Sequence, residues 1–104
     1  MPVRQLRPRQ SPNHQALVSS LVDEWKQQDS QAAEPVILEE FNNAGDLIHV
    51  YVVWDVWRDM DRTERGEIIM EAAEQRYGHP DVDYVTIAMG LTPREADQMD
   101  IDWR

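Results

Sequence analysis

Eleven consecutive residues, Leu47 to Trp57 (LIHVYVVWDVW), constrain this chain more than any other stretch. β-branched and aromatic residues dominate it, and apolar side chains recur at every second position, so it predicts a β-strand. Alternation sends Ile48, Val50, Val52, Trp54 and Val56 to one face. Leu47, His49, Tyr51, Val53, Asp55 and Trp57 go to the other. In a small domain one sheet face ordinarily meets water and alternates apolar with polar residues. Here the second face still carries Tyr51, Val53 and Trp57 beside His49 and Asp55, so something is expected to cover it.

The flanking segments supply the rest of a sheet and its cover. Val36 to Phe41 (VILEEF) predicts a shorter strand, and Asn42-Asn43-Ala44-Gly45-Asp46 is rich in residues that accept positive φ, so the two strands make a hairpin. Glu39 and Glu40 place the shorter strand at the sheet edge, where charge blocks unwanted pairing. Upstream, Ser11-Pro12 is a hydroxyl cap followed by proline at the first helical position. Leu17, Val18, Leu21, Val22 and Trp25 then form one stripe of a helix running from about residue 12 to 28. Residues 29–35 form a polar connection closed by Pro35.

Downstream, Asp61 with Glu64 three residues later resembles a capping box. The helix it opens, residues 62–77, turns Ile68, Ile69, Ala72, Ala73 and Tyr77 inward and Glu67, Glu71 and Glu74 outward. Gly66, on the line of Ile69 and Ala73, permits close approach to the sheet. Gly78 ends the helix, and His79-Pro80 prevents its continuation. Asp83 to Met89 predicts a third strand, with Val85, Ile87 and Met89 on one face and Tyr84, Thr86 and Ala88 on the other. Thr92-Pro93-Arg94-Glu95 is a full capping box that opens a short last helix, and the tail carries Ile101 and Trp103.

The order α-β-β-α-β-α specifies an α+β domain over residues 11–104, preceded by a basic arm at residues 1–10. A right-handed crossover puts both long helices on one face of a three-stranded sheet made of the hairpin and one later strand. The other face is left open, apart from a tail that is able to fold back over it. His49, Tyr51, Val53 and Trp57, joined by Tyr84 and Thr86 from the third strand, are the expected interaction surface.

In topology, residues 12–100 resemble the BolA-like fold and the type II KH domains. In BolA-like proteins the segment after the hairpin is patterned F-x-G-x-S-x-x-x-R-H; here it runs from Trp57 to Gly66. Trp57 suits the aromatic position and Arg65 the arginine. Asp59 and Asp61 replace the glycine and the serine, and Gly66 stands where the family has its cluster-ligating histidine. The G-x-x-G loop with which KH domains clamp a nucleic-acid backbone is absent. The resemblance implies a fold and offers, as an alternative function, a nucleic-acid-binding or iron–sulfur adaptor module.

Charge narrows the partners. Twenty acidic residues face ten basic ones, nine arginines and Lys26, for a formal net charge of −10. Arg4, Arg7 and Arg9 lie in the arm, so residues 11–104 carry seven basic and twenty acidic side chains, a net of −13. Such a body repels phosphate backbones and anionic membranes, although the arm itself suits an anionic partner. There is no cysteine, which excludes disulfides and thiolate chemistry. No apolar run approaches a membrane span, and MPVRQLRPRQ lacks a signal peptide's apolar segment, so the expected location is cytoplasmic.

No residue set calls for a metal or cofactor. His79, Asp81 and Asp83 match no known metal loop and read as a solvated helix end. Asp55, Asp59 and Asp61 at the strand exit are explained by a turn and a helix cap, so a hydrolase built on Asp55, Asp59 or His79 is the last of the readings. The leading expectation is a small acidic protein-interaction module, a regulator, adaptor or inhibitor. It binds itself as a homodimer or a basic protein partner through the open sheet face.

Overall fold

The computed structural model describes residues 14–26, 35–78 and 80–103. Helix α1 (His14–Lys26) precedes a hairpin of β1 (Val36–Phe41) and β2 (Leu47–Val53). A 3-10 turn over Asp55–Asp59 leads into α2 (Arg62–Tyr77), and a second, Pro80–Val82, precedes β3 (Ile87–Leu91) and α3 (Pro93–Gln98). The sheet order is β1-β2-β3, with β2 antiparallel to β1 and parallel to β3. This is the expected mixed α+β architecture. The cap at Ser11-Pro12, the ends of the first predicted helix, the arm with Arg4, Arg7 and Arg9, and His79 lie outside the described residues, as does the side chain of Asp81.

The two long helices bury one face of the sheet. Val18, Leu21, Val22 and Trp25 of α1 and Ile68, Ile69, Ala72 and Ala73 of α2 close over Val50 and Val52, which lose all contact with water. Local signals set the helix ends. The Asp61 carboxylate accepts the Glu64 N–H at 2.9 Å, and Gly78 takes a φ of 92° while its N–H reaches the Glu74 carbonyl at 2.8 Å. Gly66 brings α2 against β3: a Cβ there would lie 3.2 Å from the Ala88 carbonyl. Gly90 is tighter still, since a Cβ would meet the Arg65 Cβ at 2.8 Å and the Trp57 ring at 3.0 Å.

Three expectations are corrected. First, β2 stops at Val53 rather than Trp57. The Trp54 N–H bonds to the Leu91 carbonyl, and the chain then winds into the 3-10 turn, changing the side-chain period from two to three. Trp57 therefore swings onto the same side as Trp54, with the rings edge-to-face at 5.3 Å. It is fully buried in the helix-side core and donates its indole N–H to the Val52 carbonyl at 3.0 Å, while Val56 is exposed. Second, Leu47 joins the helix-side core, because the pairing passes from Glu40↔His49 to Phe41↔Leu47 and skips Ile48. That bulge reverses the alternation.

Third, β3 begins at Ile87, and its register pairs His49 with Ile87, Tyr51 with Met89 and Val53 with Leu91. Cross-strand partners share a face, so Ile87, Met89 and Leu91 line the outer face while Ala88 packs on the helix side. Tyr84 sits exposed in the turn before the strand, and Thr86 is held at the end of β2 through its N–H to the Ile48 carbonyl, 2.9 Å. Neither lies on the outer face where alternation from Asp83 had placed it.

Candidate interaction surface

Among the described residues, the outer face is most deeply buried at one end. Val53 and Leu91 are fully buried there beneath Ala96 of α3, with Ile101 and Trp103 packed around them. Helix α3 has six residues, too few to stand alone, and is fixed at both ends. The Thr92 hydroxyl accepts the Glu95 N–H at 3.2 Å and the Glu95 carboxylate accepts the Thr92 N–H at 2.8 Å, the reciprocal box read from the sequence. At its other end Asp100 takes a φ of 56° and the Ile101 N–H returns to the Ala96 carbonyl at 3.0 Å. This reversal turns Ile101 and Trp103 back over the sheet. The Trp103 indole N–H donates to Asp97 at 3.0 Å.

Arg65 ties this cover to the rest of the fold. It is buried, donating from Nε to the Met60 carbonyl at 2.8 Å and from Nη1 to the Gly90 carbonyl at 3.1 Å and to Glu95 Oε1 at 2.7 Å. Burial pulls the Glu95 carboxyl upward, but the Thr92 N–H and the Arg65 guanidinium outweigh it and hold the group below its ordinary value.

Beyond Val53 and Leu91 the outer face is only partly buried among the described residues. Leu38, Tyr51 and Met89 are half-buried in a row across β1, β2 and β3, and the next row is Glu40, His49 and Ile87. The imidazole stands edge-on to the Tyr51 ring at 6.3 Å, with Nδ1 3.3 Å from a Glu40 oxygen, an ion-pair distance without hydrogen-bond geometry. Of the expected surface residues, the structure brings His49 and Tyr51 together here. Val53 lies under the cover, Trp57 in the opposite core, and Tyr84 and Thr86 off the face. Sequence reasoning missed Leu38, Ile87 and Met89. The alternation of VILEEF contained the first, and the other two depend on a pairing register that no local pattern announces.

Two other polar clusters serve packing. His14 is buried between the long helices, its Nε2 3.0 Å from Glu71 and its Nδ1 3.7 Å from Glu64. On β1, Glu39 accepts the Trp25 indole N–H at 3.2 Å and the Tyr77 hydroxyl, while the Trp25 and Tyr77 rings meet edge-to-face. Burial and the hydrogen bond to this carboxylate push the Tyr77 hydroxyl up to about 12. Among the described residues no group of three or more histidines and carboxylates is placed to hold a metal ion. No described helix is long and apolar enough to cross a membrane. The outer strip thus carries a phenol and an imidazole–carboxylate pair beside its apolar residues. Compared with known proteins, the chain matches no family model, no curated protein and no solved structure.

Proposed function

We propose that this domain is a protein-interaction module, a regulator, adaptor or inhibitor, which binds through the uncovered half of its outer sheet face. The observation that carries the reading is the uneven finish of that face. Val53 and Leu91 are fully buried with Ala96 of α3, while Leu38, Tyr51 and Met89, packed beside that cluster, keep part of their surface in water. Apolar residues clustered on a sheet face, with a rim of polar groups, mark association surfaces.

The test pairs light scattering on the full chain at low and high salt with affinity capture, using wild type and a Tyr51→Ala/Met89→Ala variant shown to be folded. Association, with itself or with a captured protein, is expected in wild type and is lost in the variant. If the variant keeps every association that wild type makes, the interface is elsewhere and the reading fails.

A further inference from the structure

We infer that the segment received by this face is cationic: a basic, amphipathic stretch of another protein, rather than a second copy of this chain. The inference rests on the docking surface proposed above and concerns the chemistry of its occupant. Helices α1 and α2 together hold six acidic side chains against four basic ones, and two of the six, Glu64 and Glu71, face His14. One of the four, Arg65, is engaged by Glu95, so the helix layer is acidic as well.

On the outer side the acids border an apolar row. Glu40, its side chain 59% exposed, borders the apolar row at the hairpin end. At the other end the α3–tail segment, residues 93–103, holds four acids against Arg94. Arg65 engages one of them, Glu95, and the exposed Asp97, Asp100 and Asp102 dominate the rest. The row of Leu38, Tyr51 and Met89 thus runs between two acidic margins.

A second copy meets this arrangement badly. A two-fold contact sets the same patch against itself, so the apolar rows pair only by facing acidic margins with acidic margins, on chains that each carry −10. A basic segment answers both features. Its aliphatic anchors cover Leu38, Tyr51 and Met89, and lysine or arginine stems lie along the apolar row with their charged ends at Glu40 and the tail carboxylates. The patch is small for a permanent interface, so the contact is transient and weakened by salt.

Two short amphipathic peptides with the same leucine pattern serve as probes, one with lysine and one with glutamate at its polar positions. Each is titrated into the isotope-labelled full chain and followed by amide NMR at about 50 mM and about 300 mM salt, either side of the ionic strength where surface charges are screened over ~8 Å. The lysine peptide is expected to shift the amides of Leu38, Tyr51 and Met89, and to lose affinity several-fold at the higher salt. A Glu40→Gln/Asp102→Asn variant weakens it several-fold as well. The glutamate peptide leaves these amides unmoved.

Equal binding of both peptides at these amides overturns the cationic inference and leaves the docking surface standing. So does a salt-resistant dimer whose interface maps to them. Lysine-peptide shifts confined to α1 and α2 overturn the inference by placing the attraction on the helix layer. If neither peptide binds and the Tyr51→Ala/Met89→Ala variant keeps every wild-type association, the docking surface itself is gone.

Discussion

Along β2 the side chains of Val50 and Val52 are completely buried, whereas Tyr51 between them and His49 before them keep part of their surface in water. The first pair meets two long helices; the second belongs to a face that, among the described residues, α3 and the tail approach at the Val53 end. One strand thus serves two surfaces built to different standards. On the helix side even the tryptophans find partners, Trp57 with the Val52 carbonyl and Trp25 with Glu39. On the outer side burial grades from complete at Val53 to partial at Tyr51 and His49 within a few residues. Apolar character in a strand therefore states how much surface needs covering. What covers it is decided by elements distant in the chain.

The largest expected difference between the two sides is read by a pair of tryptophans. Trp57→Ala removes a fully buried indole and leaves the Val52 carbonyl without its donor, for a loss of about 3–5 kcal/mol. Trp103→Ala removes a half-buried ring whose N–H meets Asp97, and is expected to lose less than about 2 kcal/mol. Urea unfolding of both variants checks the ranking. Equal losses would mean that the tail belongs to the core as firmly as the 3-10 turn does.

That contrast also marks what was legible in the sequence. The Thr92–Glu95 box, the Asp61 cap and the bounds of α2 were all readable, because each is settled by residues within one helical turn. The hairpin and its edge strand were readable because Asn42 to Asp46 turn the chain where they stand. Alternation puts Trp57 on the wrong side, since a single change of period after Trp54 redirects it. The register of β3 depends on pairing with a strand some forty residues earlier, so counting faces from Asp83 inverted it. Arg65 looks like any arginine in the first turns of an exposed helix; its partners at Gly90 and Glu95 are 25 and 30 residues away. Within the candidate surface, His49 and Tyr51 were found by alternation, and Leu38 and Met89 needed the sheet.

The clasp between the two sides should give an intermediate effect. Glu95→Gln keeps the shape of the side chain but weakens the charge-assisted bond to buried Arg65, for a loss of about 1.5–3 kcal/mol. The pH dependence has a definite sign. The folded state holds the Glu95 carboxyl below its ordinary 4.5, so it favours the carboxylate. The stability from that preference is complete above the ordinary value and drains away as pH falls through the lower, folded one. Chemical unfolding as a function of pH should show a shallower acid decline in Glu95→Gln than in wild type. Parallel declines would show that the carboxylate's charge does not hold the cover down.

The smallest expected effect tests the outer face most directly. Leu38 lies on the edge strand, half-buried, paired with Tyr51 and packed at the border of the Val53–Leu91–Ala96 cluster. If the row is open, a polar residue there exchanges little buried area for water. Leu38→Thr, which puts a β-branched strand former in its place, should then change stability by less than about 1 kcal/mol. The matching change on the helix side, Val52→Thr, puts a hydroxyl into a fully buried site and should cost about 1–3 kcal/mol. Thermal unfolding of the two variants at low protein concentration measures the gap. A loss of about 2 kcal/mol or more at Leu38 would show that the isolated chain already seals this half of the sheet, and the face would then be core rather than contact surface. A small loss, together with weakened association, separates the two roles of the sheet in a single residue: a position that the fold can do without and the partner cannot.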